Sequence, residues 1–115
     1  MTAEIAIMNG SAVALAADSA VTIGSDRGQK VFNTVCKLFT MSKHRPVAVM
    51  VYGNAQIMAV PWETIIKLYR KKLGRRSFDH LEDYADDFLG FLRGNRALFP
   101  APNQQEYFKR LVSAF

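Results

Sequence analysis

The chain has 115 residues, half of them hydrophobic and 22% charged, with a formal net charge of +5 at pH 7. That length suits one domain, and the mixture is that of a globular chain rather than of one that stays disordered. No apolar run approaches the roughly 20 residues that cross a bilayer, and the N-terminus lacks a basic segment followed by a long apolar stretch, so a cytoplasmic protein with no membrane partner is expected.

Residues 4–8 and 12–17 are short β-compatible runs separated by Asn9-Gly10, a strong signal for a two-residue hairpin turn. A polar stretch covers residues 22–30. Residues 34–41 and 46–52 then read as a second strand pair joined by the polar turn 42–45. Val47, Val49 and Val51 with their apolar neighbours imply a sheet covered on both faces.

From residue 55 to 73 the period becomes helical, with Ile65, Ile66, Tyr69 and Leu73 on one face and Pro61 as a kink or a break between two helical pieces. Asp79 and Glu82 have the spacing of a capping box. Phe78, Leu81, Ala85, Phe88, Leu89 and Leu92 follow as the apolar stripe of the next helix, with Asp83, Asp86 and Asp87 on its solvent side. Pro100 and Pro102 mark a loop. Asn103 and Glu106 are the expected caps of a third helix carrying Tyr107, Phe108, Leu111, Val112 and Phe115. Strands first and helices after is the order of an α+β sandwich. Ending on a large apolar residue with no stop signal, the chain reads as cut short.

The excess positive charge comes largely from Lys67, Arg70, Lys71, Lys72, Arg75 and Arg76. Cations at a helix C-terminus complement its dipole, and Gly74 supplies a stop at that point, so a solvated helix end is expected and nucleic-acid binding is a minor alternative. His44 and His80 have no metal-ligand spacing around them, and no cofactor or metal motif is visible. Cys36 is the only cysteine, which excludes an intramolecular disulfide; alternation along a strand would turn it away from Lys37 and into the core.

The opening, from Thr2 through the Ala16-Ala17-Asp18 strand end to Thr22, resembles the start of mature proteasome β subunits and of bacterial two-component ATP-dependent proteases, which are N-terminal-nucleophile hydrolases. Thr2, Asp18, Lys37 in Cys-Lys-Leu-Phe and Gly53 in Tyr-Gly-Asn-Ala stand at the family's places, with Asp18 sixteen positions after Thr2. The likeness covers about residues 2–70. The interval from Asp18 to Lys37 is a few residues longer than the family pattern, and Tyr52 replaces a small residue. Taken singly, the four also fit structural roles: a terminal residue, a strand-end turn, an edge-strand charge and a glycine opening a helix.

The resemblance implies the N-terminal half of an αββα sandwich, the remaining strands and helices being supplied by a second half. It implies threonine-type hydrolysis of peptide or amide bonds, with a peptide or protein substrate, a homo-oligomeric ring and an ATPase partner. Thr2 would be the nucleophile once Met1 is removed, its own α-amine the base, Lys37 the neighbouring cation, Asp18 the group that holds Lys37, and the Gly53 N–H an oxyanion donor. A non-catalytic assembly or scaffold protein of the same fold is the alternative.

Overall fold

A computed structural model describes residues 3–19, 21–25, 28–32 and 36–114. Eight short strands precede three helices within these residues, giving a small mixed α+β protein. Each strand pairs with its sequence neighbour, so the sheets are four two-stranded antiparallel ribbons.

The first ribbon pairs β1 (Glu4–Met8) with β2 (Val13–Ala17), in a register that sets Glu4 opposite Ala17 and Met8 opposite Val13. The Asn9 N–H donates to the Ala12 carbonyl at 3.0 Å, which leaves Gly10 and Ser11 at the tip. The turn is thus one residue later than the Asn-Gly signal implies. Its driving force is the Asn9 side chain, whose Oδ1 accepts from the Ser11 and Ala12 N–H groups at 2.8 Å.

A second ribbon, β3 (Val21–Ser25) with β4 (Gly28–Phe32), occupies the stretch expected to be an irregular polar segment. Polar residues and Gly24 and Gly28 have low strand propensity, which hides these strands from a reading by composition. The third ribbon, β5 (Leu38–Thr40) with β6 (Ala48–Met50), is the expected second strand pair over shorter spans than 34–41 and 46–52; residues 34 and 35 lie outside the described residues. Its ladder runs on at both ends, Met41 N–H to Val47 O at 2.8 Å and Val51 N–H to Lys37 O at 2.9 Å. Ser42 closes the turn: its Oγ accepts from the His44 and Arg45 N–H groups at 3.0 and 3.1 Å.

Residues 55–61 are not helical. They form a fourth ribbon, β7 (Gln56–Ile57) with β8 (Val60–Pro61), around Met58 and Ala59, whose φ angles of 50° and 65° lie in the left-handed region. A two-residue hairpin of this hand needs positive φ at both central positions. Pro61 is neither kink nor break within a helix but the residue just before one.

Helix α1 (Trp62–Leu73) buries the four residues assigned to its apolar face, Ile65, Ile66, Tyr69 and Leu73. Gly74 ends it at φ 58°, its N–H returning to the Arg70 carbonyl at 3.1 Å. Helix α2 (Leu81–Gly94) starts after His80, with no side-chain cap from Asp79. The chain before it is fixed instead by Tyr84, whose Oη accepts the Phe78 N–H at 3.1 Å while the two rings meet edge to face. The buried stripe is Tyr84, Phe88, Phe91 and Leu92, whereas Leu81 and Leu89 are exposed. That rotates the helix from the expected face and brings Asp87 inward, where it accepts the Tyr69 hydroxyl at 2.8 Å.

Helix α3 (Ala101–Ser113) begins before Asn103, with Pro100 as its N-cap and Pro102 in the first turn, where a missing N–H costs no helical bond. Glu106 therefore lies within the helix and pairs with Arg110. The core gathers Met41, Ile65, Tyr69, Leu73, Tyr84, Phe91 and Phe99, with Tyr69 edge-on to Phe88 and Phe91 at centroid distances of 5.1 and 5.5 Å. No helix among the described residues is long and apolar enough to cross a membrane.

Candidate active site

Hairpin register explains why residues far apart in sequence converge. The first ribbon's pairing, extended one step beyond Glu4 and Ala17, sets Ala3 against Asp18, and the Asp18 N–H donates to the Ala3 carbonyl at 3.0 Å. The hairpin so extended runs from Ala3 to Asp18. The third ribbon does the same for Lys37 and Val51, so Gly53 follows two residues after Lys37's partner.

An ion pair joins the two ribbons. Lys37 Nζ donates to Asp18 Oδ1 at 2.7 Å, with the lysine side chain 5% exposed and the aspartate 35%. That hydrogen bond holds the Asp18 carboxyl below the usual carboxylate range against the opposing effect of desolvation, and the Lys37 charge and a backbone hydrogen bond from Ala3 act in the same direction. A lysine this buried needs such a partner, because an uncompensated ammonium is expensive to remove from water.

Lys37 and Gly53 line one cleft of about 330 Å³. Gly53 is exposed at φ 75°, a conformation glycine adopts without the penalty a side chain would incur. Trp62 and Glu63, at the start of α1, also line the cleft and form one wall of it. They reach it because the β7–β8 hairpin folds the chain back, closed by the Trp62 N–H donating to the Ala55 carbonyl at 3.1 Å. Tyr52 stands on the rim, 78% exposed. Sequence reasoning placed Trp62 and Glu63 inside a helix and missed this wall; the signal that would have found it is Pro61, which favours the last position before a helix over its interior.

Asp18, Lys37 and Gly53 are therefore brought to one region, while Thr2 lies outside the described residues. Cys36 departs from expectation: it is exposed and lines the cleft. Strand β5 begins only at Leu38, so alternation does not extend back to it, and its thiol donates to the Leu38 carbonyl at 3.1 Å. His44 and His80 are exposed, and no group of three or more metal-ligating side chains gathers among the described residues.

Two cations at the basic end of α1 meet α2: Arg76 approaches Asp87 at 3.7 Å and Lys72 sits over the Phe91 ring at 5.4 Å, while Lys67 forms an exposed pair with Glu63 at 2.8 Å. No protein-family model matches the chain, and neither curated proteins nor solved structures give a significant match.

Proposed function

We propose that this chain is the N-terminal part of a threonine-type N-terminal-nucleophile hydrolase of the proteasome β type, cleaving peptide or amide bonds. The observation that carries the reading is the 2.7 Å ion pair between Asp18 and Lys37, which ties the ribbon that follows Thr2 in sequence to the ribbon that precedes Gly53.

The chemistry asks for that combination. A threonine hydroxyl is a weak nucleophile, and a free α-amine on the same residue can take its proton if it is neutral. A fixed cation nearby disfavours protonating that amine and stabilises the developing alkoxide. A backbone N–H at a glycine can approach the oxyanion closely. Thr2 then forms an ester with the acyl half of the substrate while the amine half leaves, and water releases the acid. In this scheme the amine must be in its neutral form to take the hydroxyl proton.

The test uses the complete protein with Met1 shown by intact mass to be absent. Thr2→Ala is expected to abolish hydrolysis of fluorogenic peptides and Thr2→Ser to retain a fraction of it. Hydrolysis at the parental rate by Thr2→Ala would exclude the reading.

A scaffold role in the same type of ring is supported by a different observation, the exposed apolar residues Ile5, Ile7, Met8 and Val13 of the first ribbon. Retention of Met1 in the assembled protein is the outcome that selects it, since the nitrogen of Thr2 is then a peptide amide and cannot serve as the base.

A further inference from the structure

We infer that the cleft beside Lys37 is a subsite for a cationic side chain, lysine or arginine, and that Glu63 selects it. The identification of that side chain as part of a peptide substrate rests on the hydrolase reading above; the cation preference itself does not.

Two charged residues line the cleft, Lys37 and Glu63. Lys37 is buried, and its charge is compensated by Asp18 at 2.7 Å. Glu63 stands in the first turn of α1, where the helix favours a negative charge. Its partner Lys67 is one turn along the same helix, and both side chains are more than half exposed, at 53% and 61%. Pairs of this kind are weak and exchange readily. The charge that the cleft presents to a ligand is therefore the Glu63 carboxylate.

The neighbouring surfaces fit the same chemistry. Trp62 and Tyr52 line the cleft with Glu63, and the faces of aromatic rings attract ammonium and guanidinium groups. A carboxylate that shares a cleft with aromatic rings welcomes a cation, repels an acidic side chain, and loses solvation without return when an apolar one covers it.

Trp62 is the only tryptophan, so its fluorescence reports on the cleft without a label. The full chain is titrated at low salt with a blocked tripeptide amide ending in lysine and with the same peptide ending in norleucine. The lysine peptide is expected to bind at least tenfold more tightly. Glu63→Gln should remove that preference, and Glu63→Lys should reverse it towards a peptide ending in glutamate, each with the parental circular dichroism spectrum. Equal affinity of the parent for the two peptides, no response to the lysine peptide up to millimolar concentration, or a lysine preference that survives Glu63→Lys overturns the inference. Selective binding by a protein that Thr2→Ala shows to be no hydrolase keeps the subsite and removes the hydrolase reading; Thr2-dependent cleavage with no charge preference does the reverse.

Discussion

At the level of single residues, the Asp18–Lys37 pair makes the most direct demand on experiment. Lys37→Ala in the complete protein should lower kcat by at least about a hundredfold, the scale of losing a positioned charge or proton-transfer group. Lys37→Arg should rescue poorly, because a planar, longer guanidinium cannot occupy a site shaped around a compact ammonium. The pair also has a signed pH signature. The folded-state pKa of Asp18 is lowered, so its contribution to stability is full above the ordinary carboxylate value near 3.8 and is lost as pH falls through the lowered value. The stability difference between the parent and Asp18→Asn should therefore be constant at neutral pH and vanish only below about pH 4; a difference that disappears between pH 5 and 7 would mean that another group titrates. Tyr69 gives a purely structural counterpart. It is fully buried, and its phenol is pushed well above the usual range by burial and by the hydrogen bond to Asp87. Tyr69→Phe keeps the ring contacts with Phe88 and Phe91 but leaves Asp87 without its 2.8 Å donor, and chemical denaturation should register a loss of about 1–2 kcal/mol.

Among the elements, the β7–β8 hairpin shows where local preference yields to context. Ala59 is exposed and sits at φ 65°, a conformation that costs a residue with a Cβ about 1–2 kcal/mol. Ala59→Gly should raise stability by about 1 kcal/mol, the relief of strain exceeding the added freedom of the unfolded chain, and Ala59→Val should lower it. A neutral or destabilising glycine would show that the turn is not strained. The same hairpin marks the limit of what periodicity reveals. Helix α1 was legible because Ile65, Ile66, Tyr69 and Leu73 recur at helical spacing and Gly74 ends the pattern; its start was not, because Ala55, Ile57, Met58 and Val60 are compatible with either state. The face of α2 was misjudged by about one position, since Leu81 and Leu89 repeat as well as Tyr84 and Phe91 do, and only the contacts of Tyr84 with Phe78 and of Phe88 and Phe91 with Tyr69 decide between them. In the site, Asp18, Lys37 and Gly53 were reached through the family resemblance, and the Asp18–Lys37 ion pair and the cleft that Lys37 and Gly53 line bring the three to one region. Trp62 and Glu63 were not, because their place on the cleft depends on a turn made of residues that do not ordinarily form one.

On the scale of the whole molecule, surface area sets the expectation. The chain exposes 8973 Å², against roughly 6,300 Å² for a compact monomer of its mass, and its radius of gyration of 16.4 Å exceeds the about 13 Å of a compact chain of this length. The surplus has an identifiable composition. An apolar groove of about 690 Å³ runs between the first and third ribbons, lined by Met8, Val13, Leu15, Phe39 and Met50 among others. Helix α3 buries none of its residues and leaves Phe108, Leu111 and Val112 exposed. Apolar surface in contiguous amounts this large is covered in stable proteins, by further chain or by other subunits. The 115-residue polypeptide on its own should therefore self-associate, or else bind a hydrophobic dye and unfold with low cooperativity. Sedimentation over a range of concentrations, combined with calorimetry, distinguishes these outcomes from the contrary one. A monomer at all concentrations with a sharp, concentration-independent transition would mean that the α1–α2 core suffices for cooperative folding of the chain. Substituting Ile7→Lys and Val13→Lys on the first ribbon should then shift the self-associating protein towards monomer, since both side chains are more than half exposed and a charge there opposes burial against another copy without removing any core contact.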